Sequence, residues 1–253
     1  MNYKKWWFIF LIIGIISILL FQYKRPIYRW YYNLNKYDAS MVYKSDHIKK
    51  YAIHGIDVSH HQGAIKWNNI KHPDSTKQID FVFIRAVVGT EKDKRFKENW
   101  TGATKSQIKK GAYHYYWSDV NSAKQAAVFK NQVVLNKGDL PPVLDIEDMS
   151  NVQNKASLRK GLKNWIAIIE DHYGVKPIIY SGEAFYRDIL KPDSYFEEYP
   201  RVWIANYNRV NAPRISWDFW QYSDRFPVDG IKTLVDGNVF QGSQHDFEAL
   251  LVP

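Results

Sequence analysis

The run Leu140-Pro141-Pro142-Val143-Leu144-Asp145-Ile146-Glu147-Asp148 ends in three acids within four positions. Val143, Leu144 and Ile146 are strand formers, and the two prolines give the strand a sharp start. Side chains alternate faces along a strand, so Asp145 and Glu147 share a face, while Asp148 points elsewhere or begins the loop. Positions i and i+2 stand about 6–7 Å apart at Cα, from a rise of roughly 3.3 Å per residue. Two carboxylates at close range repel, and one pKa then rises. An acid that keeps its proton near neutral pH can protonate a leaving oxygen, and an ionised neighbour can stabilise positive charge. Hydrolysis of a glycosidic bond uses such a pair. Taken alone, Asp-x-Glu is more simply read as acids that cap the next helix or pair with lysines, because structural ion pairs also gather carboxylates.

The rest of the chain has to position that pair. Its 253 residues suit one large domain or two small ones, and a single α/β barrel typically runs to about 250 residues. Candidate strands are Ile53–Val58, Phe81–Val87, Gly111–Tyr116, Val143–Ile146, Pro177–Tyr180, Arg201–Ala205, Asp218–Tyr222 and Leu234–Val239. Helical spacing marks Phe96–Lys109, Asn121–Asn136 (with Ala126, Phe129, Val133 and Val134 on one face) and Ser157–His172 (with Leu158, Leu162, Trp165, Ile166 and Ile169). Strand–helix alternation implies a parallel sheet. The expected fold is an α/β class, irregular, TIM-like β/α barrel, with few helices among the last strands. Sites in such barrels sit at the C-terminal strand ends. Polar residues do gather there: Asp57, Ser59 and His60; Tyr113 and His114; Asp145 and Glu147; Tyr180 and Ser181; Asn206 and Tyr207; Gln221 and Tyr222; Asp236 and Asn238.

These pieces together resemble the glycoside hydrolase family 25 lysozymes, the muramidases of the Chalaropsis type. The matching segments are Gly55-Ile56-Asp57-Val58-Ser59-His60-His61-Gln62-Gly63, Gly111-Ala112-Tyr113-His114, Pro142-Val143-Leu144-Asp145-Ile146-Glu147, Trp203-Ile204-Ala205-Asn206-Tyr207, Phe219-Trp220-Gln221-Tyr222-Ser223 and Val235-Asp236-Gly237-Asn238-Val239-Phe240. Each is weak alone; six in order are specific. The resemblance implies a barrel with a groove that cleaves the β-1,4 link from N-acetylmuramic acid to N-acetylglucosamine in peptidoglycan. It implies Glu147 as general acid and Asp145 as the group that stabilises developing charge by orienting the substrate's 2-acetamido group. It implies Asp57 and Asp236 as further cleft acids, and Tyr113, Tyr180, Trp203, Tyr207 and Gln221 as groove residues. One departure stands out. Arg85-Ala86-Val87-Val88-Gly89 has Val88 where the family often has a glutamate, while Asp93 and Phe96 keep the pattern.

Composition narrows the alternatives. There is no cysteine, which excludes disulfides, thiolate metal sites and a cysteine nucleophile. His60, His61 and Asp57 suggest a metal only weakly, since neighbouring residues on a strand point apart; no metal and no cofactor is expected. Aromatic residues make up 16%, which suits either a ring-rich core or a cleft that stacks on sugar faces. Residues 1–50 hold nine Lys or Arg against two acids, whereas 51–253 hold 26 against 24. A nucleic-acid partner would require basic excess in the folded part, so none is expected.

Trp6 to Phe21 contains one polar residue, Ser17, and follows Lys4 and Lys5. With no small-x-small cleavage site after it, residues 1–23 read as an uncleaved signal anchor or transmembrane helix in preference to a cleaved signal. Residues 24–52 read as a juxtamembrane linker or a short helix packed on the domain, and 53–253 as the catalytic domain. Positive charge flanks the anchor on both sides, so the expected placement of the domain outside the cytoplasm follows from the implied function and not from charge. The competing readings are a wall-binding module without turnover and a glycosidase of another amino-sugar polymer such as chitin.

Overall fold

A computed structural model describes residues 39–208 and 211–253. The sheet is a closed barrel of eight strands: β1 (Ile53–Val58), β2 (Phe81–Val88), β4 (Lys109–Tyr115), β5 (Val143–Asp145), β6 (Ile178–Gly182), β7 (Val202–Ala205), β8 (Phe219–Phe226) and β9 (Val235–Phe240). The two-residue β3 (Glu91–Lys92) folds back on the end of β2, outside the ring. Every expected strand is present. Strands β1 to β8 of the ring pair in parallel.

The wholly parallel sheet inferred from strand–helix alternation needs one correction. β9 runs antiparallel to both β8 and β1. The link 227–234 is too short for the crossover that a parallel return requires, which takes a dozen or more residues. The chain therefore turns as a hairpin and closes the ring in reverse.

The longer helices lie outside the barrel: α1 (Phe96–Lys105), α2 (Ser122–Gln132), α3 (Lys155–Tyr173) and α4 (Gln244–Leu250). α3 begins where the Asn154 side chain accepts the Ser157 N–H, and ends at Gly174, whose φ of 69° suits glycine. Leu158, Leu162, Trp165, Ile166 and Ile169 form its buried face. α2 stops at Gln132, so Val134, grouped with its apolar face by spacing, is instead solvent-exposed.

Inside the barrel, Phe81, Phe83, Val143, Ile178, Trp203 and Phe219 fill the space beneath the mouth. Two glycines make room for these rings. A Cβ on Gly55 would lie 2.4 Å from the Phe81 ring, and one on Gly111 would lie 2.7 Å from Phe83.

The expected membrane segment, 1–23, and most of the expected linker lie outside the described residues. Among the described residues no helix is long and apolar enough to cross a membrane. From Ala39 onward the chain forms two short helical turns, Ala39–Lys44 and Asp46–Lys49. Here the packed-helix alternative holds: Ile48 is fully buried, and Tyr43 sets its ring edge against Phe226 at 5.5 Å. Tyr51 meets Trp217 and Trp220. The compact unit thus begins at Ser40, ahead of the boundary drawn at 53.

Candidate active site

The short β5 ends at Asp145, and the backbone beyond it is held rigidly. Tyr116 N–H donates to the Asp145 carbonyl (2.8 Å), Ile146 N–H to the Tyr180 carbonyl (3.0 Å), and Ser181 Oγ–H to the Ile146 carbonyl (2.7 Å). Ile146 is drawn into the outer core, which sends Asp145 and Glu147 to the barrel side. Asp145 is buried and Glu147 is exposed in the mouth above it. The two carboxyl groups lie within hydrogen-bonding reach of each other. Asp145 Oδ1 is buried with no hydrogen-bond partner. Burial and then the Glu147 and Asp57 charges push the Asp145 carboxyl well up, and Glu147, open at its tip, is raised by partial desolvation within the mouth and then by Asp57.

Asp57 and Asp236 form a second pair. They are directly opposite each other in the β1–β9 register. Asp57 Oδ2 accepts from Gln221 Nε2 (2.8 Å) and Asn238 Nδ2 (2.7 Å). Asp236 is pushed up to about 9 by burial and then by the Asp57 charge. Asp57 is itself raised by burial, against which the hydrogen bonds from Gln221, Asn238 and Asp236 favour its ionised form. Between the two, the hydrogen bonds from Gln221 and Asn238 favour negative charge on Asp57, and the proton is held more tightly by Asp236.

A buried polar network runs beneath both pairs. Trp203 Nε1 donates to Asn238 Oδ1 (2.8 Å), and Asn238 donates on to Asp57. The hydroxyls of Tyr180 (2.8 Å) and Tyr207 (2.7 Å) both donate to Gln221 Oε1. Donors and acceptors are matched throughout, which is what makes such a network rigid. Five strands contribute to it or to its edge, so the barrel brings together residues far apart in sequence.

The groove residues expected from the resemblance divide by exposure. Tyr207 is 47% exposed and open to a ligand. Tyr113, Tyr180 and Gln221 are buried at the floor. Trp203 is 2% exposed, with its ring stacked on Phe83 at 4.5 Å, so it supports Asn238 from below and presents no free face. His114 points the other way, into the helical layer: Trp165 Nε1 donates to its Nδ1 (3.0 Å), its Nε2 pairs with the Gly89 carbonyl (2.8 Å), and its pKa falls to about 3 through burial.

His60 and His61 lie in a short helical turn, His60–Gln62, and not on the strand, so their rings do not point apart; the centroids are 4.1 Å from each other. Among the described residues no group of three or more His, Cys, Asp or Glu is arranged to hold a metal. Two residues of the mouth escaped assignment from sequence: Asn238, although it was marked at a strand end, and Arg85. Alternation supplied the signal for Arg85, since Phe81 and Phe83 face inward and Arg85 follows in phase.

The model of the family described as glycosyl hydrolases family 25 matches residues 56–231. YegX of Escherichia coli (strain K12) is 40% identical over 205 residues, covering 79% of this chain and 74% of YegX. Lysozyme M1 of Streptomyces globisporus is 31% identical, covering 76% of this chain and 68% of that protein. The structure of a family 25 glycosyl hydrolase from Bacillus anthracis superposes with a TM-score of 0.70 at 32% identity, covering 80% of this chain and 95% of that one. With the acid pair at the mouth of a closed barrel and a family match across most of that barrel, this chain belongs to glycosyl hydrolase family 25.

Proposed function

We propose that the protein is a muramidase, which hydrolyses the β-1,4 bond from N-acetylmuramic acid to N-acetylglucosamine in peptidoglycan. The observation that carries this is the Asp145–Glu147 pair at the mouth of the barrel, Asp145 covered at its floor and Glu147 open to the groove. Glu147, accessible and raised by burial, protonates the leaving oxygen. The Asp145 carboxylate accepts the N–H of the substrate's 2-acetamido group, turning that carbonyl oxygen toward the anomeric carbon and stabilising the charge that develops there. Once the acetamido oxygen has attacked, Glu147 as carboxylate takes a proton from the incoming water. Substrate assistance of this kind needs no nucleophile from the enzyme. Asp57 and Asp236 hold the floor of the site, and Tyr207 supplies an exposed ring for a sugar. The lysozyme and family 25 relatives support this reading.

The apolar run Trp6–Phe21 supports a membrane anchor, and the proposed substrate, not the charges that flank the run on both sides, is what argues for a barrel outside the cytoplasm.

Digestion of purified peptidoglycan, with Glu147→Gln beside the wild type, tests the proposal. New reducing N-acetylmuramic acid ends, absent with the variant, are expected by mass spectrometry. Wall binding with no new ends from the wild type leaves a binding module, and cleavage of chitin in preference to peptidoglycan moves the substrate class.

A further inference from the structure

A cavity opens beside the acid pair. It has a volume of about 640 Å³ and lies between the loop after β4 and the loop after β5, with Trp117, Asp119, Val120, Asp148, Met149 and Ser150 in its walls. Asp148 follows Glu147 directly in the chain, so the cavity begins one residue from the acid assigned to the leaving oxygen. Its shape is built in. The fully buried Gln125 of α2 holds the first wall: Trp117 N–H donates to its Oε1 (2.9 Å), and its Nε2 donates to the carbonyls of Trp117 (2.9 Å) and Val120 (3.0 Å). The Ser150 N–H donates to Ser118 Oγ (2.8 Å), which ties the second wall to the first. The Trp117 ring lies against the backbone of Gly89, where an added Cβ would come within 2.2 Å of it.

The walls differ in chemistry. Trp117, Val120 and Met149 are half-buried and offer apolar surface, whereas Asp119 and Asp148 are exposed. Among the described residues neither carboxylate makes an ion pair, and no lysine or arginine lines the cavity. Two carboxylates without a cation, set beside apolar walls, match a ligand that carries an ammonium group on an aliphatic arm. Peptidoglycan supplies one. The lactyl ether of N-acetylmuramic acid carries a short peptide, and the diamino acid of that peptide has a free amine wherever the strand is not cross-linked. The peptide leaves the same sugar ring whose anomeric bond is cut, so it runs out of the groove close to Glu147. We propose that the cavity between the β4 and β5 loops receives the peptide stem of the muramic acid being cleaved, with Asp119 and Asp148 meeting the stem's ammonium group and Trp117 and Met149 covering its aliphatic arm. The inference rests on the muramidase reading, and it separates peptidoglycan from chitin, which has no stem.

The test uses the full chain on three soluble substrates: glycan strands with intact stems, the same strands with their stem amines acetylated, and strands stripped of stems by an amidase. The quantity read is kcat/KM from the release of reducing ends. Wild type should cleave the intact strands about tenfold better than either of the others, the order that two exposed charge contacts supply. Asp119→Lys and Asp148→Asn, both at exposed positions and checked by thermal melts, should each shrink that preference, chiefly through KM. A wild type that treats intact, acetylated and stripped strands alike overturns the proposal, and so does a folded Asp119→Lys that keeps the full preference. A second measurement needs no turnover. A free stem peptide should shift the amide resonances of residues 117–121 and 148–151 in the Glu147→Gln protein, and the acetylated peptide should not; shifts confined to other residues, or equal shifts with both peptides, overturn it too. A wild type that releases no N-acetylmuramic acid ends from any strand defeats the muramidase reading itself, whereas a cleaving wild type indifferent to the stem defeats this inference alone.

Discussion

Asp57 and Asp236 face each other in register across the antiparallel β1–β9 pair, one at the end of its strand and the other near the start of its own. Asp236 reaches the mouth because β9 is reversed; on a parallel strand the same position would lie near the opposite rim. The pairing also sets a pH dependence. Asp236 titrates near 9 in the folded protein against an ordinary value of 3.8, so the unfolded chain sheds this proton first. Its contribution is fully present below about pH 4 and is lost as pH rises toward 9. Asp236→Asn removes that loss. The variant is expected to melt higher than wild type at pH 7 to 8, by about 2–4 °C for each kcal/mol gained, with the advantage vanishing near pH 4. Calorimetry across that range checks it.

Asp145→Asn keeps the shape of the site and removes its charge. Glycan cleavage should fall by about 10²–10⁴-fold, measured as reducing ends per unit time. At neutral pH the variant should also be at least as stable as wild type, because a buried carboxyl raised by desolvation costs stability once it ionises. A variant that loses activity by unfolding would contradict this.

His54 is buried, donates through Nε2 to the Tyr51 carbonyl (2.9 Å), and has its pKa lowered to about 4 from 6.5, first by desolvation and then by His72. The unfolded chain takes up this proton first, so the contribution of neutral His54 is complete above about pH 6.5 and is lost as pH falls toward 4. Against His54→Gln, which does not titrate, wild type should lose about 1.4 kcal/mol for each pH unit below 6.5. Urea denaturation at pH 7, 6 and 5 gives the comparison, and parallel curves would refute it.

The segment 42–51 belongs to the folded unit. Ile48→Ala should cost about 2–5 kcal/mol, the usual range for a fully buried aliphatic side chain. A chain begun at Ile53 should aggregate or melt far lower than one begun at Ser40, because it uncovers Trp217, Trp220 and Phe226. Expression and thermal melts of the two truncations decide this.

Much of the barrel was legible in the sequence because strand and helix periodicity are local properties. The eight apolar runs marked the eight strands, the Leu158–Ile169 spacing marked α3, and polar residues at strand ends marked the mouth. Asp145 and Glu147 were found together because they share one strand and its two-residue alternation. Their chemistry was not local. Whether Asp145 keeps its proton depends on burial by the barrel, on Glu147 and on Asp57 from another strand.

The direction of β9 was settled by closure of the ring, and the packing of residues 42–51 by their tertiary contacts with Trp217, Trp220 and Phe226. Local sequence specifies which residues form a strand and which faces alternate. It does not specify which strand becomes its neighbour, and in this protein it is the neighbours that set charge, burial and hydrogen bonding at the site.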